Sequence, residues 1–104
     1  FAKEILFTGR RFDAMEAREM GLVNRVVSAA ELESTARQLA ESIAANAPLT
    51  LLAAKAAVNE GTRDPQDRDL AKIESLVERC FASEDYVEGR RAFMEKRAPR
   101  FKGR

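Results

Sequence analysis

The sequence contains no histidine, and it has a single cysteine, Cys80. The lack of histidine excludes a histidine general base, a histidine metal ligand and any Ser-His or Cys-His nucleophile within the chain. One cysteine cannot form an intrachain disulfide or a Cys-x-x-Cys site, so a disulfide-stapled secreted scaffold is excluded as well. No apolar run approaches the ~20 residues that a bilayer-spanning helix needs. We therefore expect a cytoplasmic protein that contacts no membrane.

Neither sign of charge is in excess, since 18 Lys and Arg stand against 17 Asp and Glu and the formal net charge is +1. The average charge thus gives no indication of a polyanionic partner such as nucleic acid. A hydrophobic content of 45% in 104 residues is enough for the core of one domain and argues against disorder. The chain begins at Phe1 with neither a methionine nor a signal-peptide pattern. We interpret it as a piece of a longer protein.

Glycine and proline are also scarce, with five and three occurrences, whereas the helix formers alanine, glutamate, leucine and arginine are abundant. β-Branched residues cluster only at Val23, Val26 and Val27. These patterns predict an all-α fold of about six helices with one short strand, in a single region over residues 1–104. The predicted elements are helices over 2–8, about 14–20, 28–45, 48–59, about 64–81 and about 84–97, a strand over 22–27 and a non-helical tail over 98–104.

Several helix ends have sequence signals of their own. Asp13 with Glu16, and Ser28 with Glu31, have the spacing of a capping box, in which two side chains satisfy two backbone N–H groups. Pro48 suits the first position of a helix because that position needs no N–H donor. The remaining boundary signals are Gly9 and Gly21 after helices, and Ser83 or Asp85 before the sixth helix.

Apolar residues at helical spacing mark the faces that we expect to pack inward. The third, fifth and sixth predicted helices each have such a face. These faces consist of Leu32, Ala36, Leu39, Ala40 and Ile43; of Leu70, Ile73, Leu76, Val77, Cys80 and Phe81; and of Tyr86 or Val87 with Arg90, Phe93 and Met94.

No set of side chains forms a recognisable catalytic or metal-binding motif, so we predict no catalytic residue and no metal site in this chain. Glutamates such as Glu19 and Glu33 lie at spacings typical of solvated helix faces and caps. Gly9 is followed by two arginines and not by a glycine-rich phosphate loop. Cys80 lies on an apolar face, which favours a buried and inert thiol.

The charge is uneven near the end of the chain. Between Arg90 and Arg104, seven basic residues stand against one acid, Glu95, with Phe93 and Phe101 between them. The simplest interpretation is a solvated helix end whose cations suit the negative end of the helix dipole. A phosphate-binding surface for a nucleotide-bearing cofactor is the functional alternative. Nucleic-acid binding ranks behind both, because no recognised module is present.

Blocks of sequence along the whole chain resemble the crotonase family, which comprises enoyl-CoA hydratases and isomerases. The blocks occur in the family's order and without large gaps. The last of them is similar to the carboxy-terminal signature of the family. The blocks are AKEILFTGRRFDA at 2–14, GLVNRVV at 21–27, AAKAAVN at 53–59, FASED at 81–85, AFMEKR at 92–97 and PRF at 99–101.

The resemblance implies that these residues are the helical, oligomer-building end of a ββα-spiral enzyme. In the family this region caps the spiral core and builds a trimer, often stacked as a hexamer. The oxyanion hole and the catalytic acids of the family would then precede Phe1, so we expect the isolated chain to be inactive. A bare strand edge and an uncovered apolar face would lead it to form a dimer or trimer.

The same resemblance implies a part in binding the substrate, a coenzyme A thioester, with no tightly bound cofactor. Family members often hold the adenosine phosphate end of coenzyme A with a lysine of the last helix and an aromatic residue of the helix before it. Lys96, within Glu95-Lys96-Arg97, matches the lysine. The aromatic position aligns with Val77, and Phe81, one turn later, is the nearest aromatic candidate.

The function that the resemblance implies first is hydration of a 2-enoyl-CoA thioester. Double-bond isomerisation, thioester hydrolysis and dehalogenation remain alternatives, because one fold hosts several chemistries and the deciding residues lie outside this chain. A free-standing helical interaction module and a small basic nucleic-acid binder are alternatives from other classes.

Overall fold

The computed structural model describes residues 1–104 and contains six α-helices and no strand. The predicted all-α class is therefore confirmed, and none of the helices has the length and apolar character needed to cross a membrane. The chain divides into two compact units, Phe1–Gln38 and Leu39–Arg104. The helices are α1 (Ala2–Thr8), α2 (Ala14–Glu19), α3 (Leu32–Ala44), α4 (Pro48–Gly61), α5 (Leu70–Phe81) and α6 (Glu84–Met94), with a short 3₁₀ helix (Pro65–Asp67) before α5.

The ends of α1 and α2 form where the sequence predicts them. Gly9 ends α1 in the left-handed region, at φ 56°, and its N–H donates to the Ile5 carbonyl. Asp13 caps α2 in a complete capping box with Glu16. Arg10 donates to the carboxylates of Glu4 (3.2 Å) and Glu16 (2.9 Å), which joins the two helices across the turn between them.

The predicted strand over 22–27 does not form. The segment is irregular, and the N–H groups of Leu22 and Val23 both donate to the Ala17 carbonyl at the end of α2, at 2.8 and 3.4 Å. A strand needs a second strand to satisfy its backbone, and residues 1–104 provide none. The valines at 23, 26 and 27 thus favour a strand, but residues 1–104 contain no second strand for it to pair with.

The predicted capping box at Ser28 is also only half formed. The Ser28 hydroxyl and the Ser28 N–H both donate to the Glu31 carboxylate, at 2.6 and 3.2 Å, so the hydroxyl does not cap a backbone N–H. Both bonds hold the pKa of Glu31 below its ordinary value, and the bond from the hydroxyl has the larger effect. Helix α3 consequently begins at Leu32 and not at Ser28. Its predicted apolar face contains no buried residue, and Leu39 and Ile43 are about half exposed.

In the second unit, α4 begins at Pro48 as predicted, but α5 begins at Leu70 and not near Pro65. Two carboxylates fix this start. Asp69 caps α5 by accepting from the Lys72 N–H at 2.9 Å, and the Asp69 N–H donates to Glu60 at 2.9 Å. Glu60 is buried and also pairs with Arg63, so these bonds lower its pKa.

Helix α4 packs against α5, and α5 packs against α6. The predicted inward face of α6 is wrong, since Phe93 and Met94 are 82% and 80% exposed. The buried residues of α6 are Asp85 and Ala92. The carboxy-terminal tail, residues 97–104, folds back on the side of α6 that contains Asp85 and Gly89, so this side is the covered one.

Candidate functional site

The tail is bound to the first turn of α6 by one buried carboxylate. Asp85, which is 3% exposed, accepts from the N–H groups of Lys102 at 2.7 Å and Gly103 at 2.8 Å. The Asp85 N–H in turn donates to the Arg104 carbonyl at 3.1 Å. Three hydrogen bonds therefore fix the last residues of the chain against the helix N-terminus, where negative charge is favoured.

The middle of the tail packs where α6 has no side chain. A Cβ at Gly89 would lie 3.5 Å from the Phe101 ring, which is ordinary van der Waals contact, so the ring packs against α6 at this position. A Cβ at Gly103 would lie 3.5 Å from the ring of Pro48, at the first turn of α4. The tail is thus held between α6 and the start of α4.

The start of the tail is bound by a second carboxylate, that of Glu88. Arg97 donates to it through both terminal nitrogens, with Nη1 to Oε1 at 2.6 Å and Nη2 to Oε2 at 3.0 Å. The Arg100 N–H donates to the same Oε1 at 2.9 Å. These bonds lower the pKa of Glu88 from 4.5 to about 2, and the Arg97 guanidinium has a larger effect than the Arg100 N–H. Arg97 also donates through Nε to Glu95, and the two carboxylates raise its pKa.

Lys96 lies between Glu95 and Arg97, which are paired with each other, just after the end of α6. Its φ is 52°, which makes it the one residue other than glycine with a positive φ. The Lys96 N–H donates to the Phe93 carbonyl at 3.2 Å, and the Arg97 N–H donates to the Ala92 carbonyl at 3.0 Å. This pair of bonds is the Schellman motif that usually has glycine at the left-handed position. The Lys96 side chain itself is exposed and makes no ion pair or hydrogen bond within the chain.

The structure does not place Phe81 and Lys96 in one pocket. Phe81 is 61% exposed and packs edge-on against Tyr86, with ring centroids 5.1 Å apart. It lines an open, mainly apolar hollow of about 650 Å³, to which α4, α5, α6 and Phe101 contribute. Val77, the position that aligns with the family's aromatic residue, lines the same hollow, and Lys96 does not. Both predicted site residues are accessible, at different places on the second unit.

The basic cluster at the chain end is less unbalanced than its sequence suggests. Arg97 pairs with Glu88 and Glu95, and Arg104 pairs with Glu84 at 3.2 Å. The charges of these two arginines are therefore offset by carboxylates within the chain. The remaining basic residues of the cluster form no salt bridge in the chain, and they are Arg90, Arg91, Lys96, Arg100 and Lys102.

Sequence reasoning missed the structural roles of Asp85 and Glu88. Their spacing of three residues puts both carboxylates near one side of α6, ahead of a basic segment, and that juxtaposition was the available signal. Cys80, half-buried, is a free thiol. No group of three acidic or cysteine side chains is arranged to hold a metal ion.

Known proteins match this chain along its whole length. The family model described as enoyl-CoA hydratase/isomerase matches residues 1–104. The short-chain-enoyl-CoA hydratase of Clostridium acetobutylicum is 40% identical over 96 residues, which are 92% of this chain and 37% of that protein. The carnitinyl-CoA dehydratase of Proteus mirabilis is 44% identical over 105 residues, 97% of this chain and 40% of that protein.

Solved structures agree with these sequence matches. The crystal structure of an enoyl-CoA hydratase from Bacillus anthracis superposes with a TM-score of 0.88 at 40% identity, and the match covers 99% of this chain and 40% of that one. An enoyl-CoA hydratase from Mycobacterium tuberculosis superposes with a TM-score of 0.85 at 35% identity. The chain spans about two fifths of the length of the curated relatives it matches.

Proposed function

Because this chain belongs to the enoyl-CoA hydratase/isomerase family, we propose that it is the carboxy-terminal, helical part of an enzyme that adds water to 2-enoyl-CoA thioesters. The observation that supports this most directly is the match over all 104 residues, with relatives named for adding or removing water. Hydration and dehydration are the two directions of one reaction type. The location that goes with this proposal is the cytoplasm.

In this proposal the catalytic groups lie outside the 104 residues. Enoyl thioester hydration needs donors that stabilise charge on the thioester oxygen and a carboxylate that activates water. The chain has no histidine, and its two buried carboxylates, Glu60 and Asp85, bind backbone N–H groups of the chain itself. We therefore expect the isolated chain to hydrate crotonyl-CoA no faster than buffer does. Its own roles would be to cap a core, to form a trimer or hexamer, and to bind part of coenzyme A.

Lys96 is the residue we propose for coenzyme A binding. Its ammonium group has no anionic partner in the chain, in contrast to Arg97 beside it. An unpaired cation at an exposed helix end suits a phosphate of the nucleotide portion, which lysine binds as a point charge. Phe81 is the second candidate, because an exposed aromatic ring that lines an apolar hollow can pack against a flat base.

The hydratase proposal is tested with the full-length protein and a panel of thioesters. Crotonyl-CoA should lose the absorbance of its conjugated double bond as water adds. A 3-enoyl-CoA would gain that absorbance if the enzyme were an isomerase, and free thiol would appear if it hydrolysed thioesters. Release of halide from a halogenated acyl-CoA would indicate a dehalogenase. Failure with every thioester, together with no binding of coenzyme A, would favour a non-catalytic interaction module.

A second substrate has support of its own. The Proteus mirabilis carnitinyl-CoA dehydratase has a higher identity, 44%, than the 40% of the Clostridium hydratase. Carnitinyl-CoA therefore belongs in the panel. Faster turnover of carnitinyl-CoA than of 3-hydroxybutyryl-CoA would assign the enzyme to this dehydration and not to short-chain enoyl hydration.

The role of Lys96 is tested by Lys96→Ala in the full-length enzyme. We expect KM for an acyl-CoA to rise about tenfold, since a phosphate contact of this kind contributes about 1.5 kcal/mol or less after screening. The value of kcat should stay nearly the same, because a remote contact is equal in the ground and transition states. Lys102→Ala is the matched control, since Lys102 is exposed, unpaired and in the same segment. Equal losses on acyl-CoA and on a pantetheine thioester would contradict the phosphate contact.

A further inference from the structure

The backbone of Lys96 is held in a conformation that its side chain disfavours. A left-handed φ brings Cβ close to the following carbonyl, so this position of a helix end is commonly glycine. Every other positive φ in the chain is at a glycine. Strained backbone positions persist only where surrounding contacts determine them, and they concentrate at functional sites.

The contacts that determine this position involve the residues on both sides of Lys96. Arg97 follows it, donates to Glu95 before it, and forms a two-bonded pair with Glu88. The Arg100 N–H donates to the same Glu88 carboxylate, which fixes the direction that the chain takes after the helix. Glu88 lies two turns back on α6, a rigid element, and its carboxylate is 21% exposed.

We propose that Glu88 is a positioning residue that acts through Arg97 to keep Lys96 left-handed, with its ammonium group directed away from the protein for a coenzyme A phosphate. This inference rests on the proposed phosphate contact of Lys96. Three cations lie close together at residues 96, 97 and 100. Glu88 binds the side chain of Arg97 but only the backbone of Arg100, so of the two neighbouring cations 96 and 97 it is Lys96 whose charge stays unpaired.

The test is a double-mutant cycle between Glu88→Gln and Lys96→Ala in the full-length enzyme. Glu88→Gln keeps the size of the side chain and removes its charge. Alone, it should raise KM for an acyl-CoA about three- to fivefold, with kcat and the KM of a pantetheine thioester unchanged. In the Lys96→Ala background it should raise KM no further, because the two residues act on one contact.

The outcomes separate this inference from the proposed function. If Lys96→Ala leaves KM for acyl-CoA unchanged, the phosphate contact itself is wrong. If Lys96→Ala raises KM but Glu88→Gln does not, or if the two effects add, Glu88 has only a structural role and the positioning inference is overturned. A fall in kcat or an equal loss on the pantetheine thioester would overturn it too.

Two further variants keep the test decisive if Glu88→Gln folds poorly. Arg97→Lys keeps the positive charge but loses the planar fork that binds both oxygens of Glu88. It should raise KM in the same selective way and by a smaller factor. Lys96→Gly should raise the melting temperature by removing the strain while raising KM for acyl-CoA as much as Lys96→Ala does. A Lys96→Gly protein that melts earlier than wild type would contradict the strained position.

Discussion

The two compact units of this chain are stabilised in different ways. In Phe1–Gln38 the only buried residue is Ala17, while Leu6 and Phe7 are 77% and 80% exposed, and its ion pairs lie at the surface. In Leu39–Arg104 two carboxylates, Glu60 and Asp85, are buried and fully hydrogen-bonded. The second unit thus gains order from directional bonds to buried charges, which the first unit lacks, although both units expose large apolar side chains, including Phe93 and Met94 in the second.

This difference predicts which unit depends on a partner. Burying apolar surface contributes about 25 cal/mol per Å², and Ala17 is the only buried residue of the first unit, which therefore gains little of this stabilisation from its core. The second unit closes its own chain end on α6 and needs no partner to order residues 97–104.

The largest effect should come from Asp85→Ala in the second unit. The change removes two charge-assisted hydrogen bonds and leaves the N–H groups of Lys102 and Gly103 without their acceptor. We expect the free energy of unfolding to fall by about 2–4 kcal/mol. Asp13→Ala, the comparable cap of the first unit, is exposed and should cost about 1 kcal/mol. Urea unfolding at fixed protein concentration measures both, and equal losses would remove the distinction between the units.

The contrast between these two aspartates also shows what sequence could predict. Asp13 caps a helix through a neighbour three residues away, and such local signals correctly located the ends of α1, α2 and the start of α4. Asp85 binds residues 17 and 18 positions later in the chain. The spacing of Asp85 and Glu88 ahead of a basic segment suggests an interaction but does not specify these backbone partners, which is why the inward face of α6 was predicted wrongly.

The other differences have the same origin. The valines over 22–27 favour a strand, but pairing is a property of two segments, and the second segment does not exist within 1–104. The start of α5 depends on Glu60, nine residues before Asp69. For the candidate site, Lys96 and Phe81 were predicted from resemblance and remain predictions. The left-handed backbone of Lys96 could not be predicted, because lysine is not a residue that favours it.

A smaller effect should appear when the Glu88 carboxylate, which binds the Arg97 side chain and the Arg100 N–H, is titrated. Because the pKa of Glu88 in the folded chain is about 2 and its ordinary value is 4.5, its ionised form stabilises the fold fully above pH 4.5. That contribution is lost as the pH falls from 4.5 towards 2. The stability difference between wild type and Glu88→Gln should therefore shrink across this window.

Glu33→Gln, which removes an exposed ion pair with Arg37 in α3, is the control and should change stability little at any pH. A difference that stays constant down to pH 2 would mean that the charge of Glu88 does not matter.

The smallest effect on stability should come from Phe7→Glu in α1, and this change should have the clearest effect on assembly. Phe7 is 80% exposed, so its replacement should alter the free energy of unfolding by no more than about 0.5 kcal/mol. We expect the wild-type chain to form a dimer or trimer at micromolar concentration, because exposed apolar side chains of the first unit associate. Phe7→Glu should shift that equilibrium towards monomer in light scattering.

Lys3→Gln, on the same helix, changes the charge by the same one unit without removing apolar surface and should leave association unchanged. A wild-type chain that is a clean monomer would show that the exposed surface of the first unit does not drive self-association, and the contrast between the units would then rest on their hydrogen bonds alone.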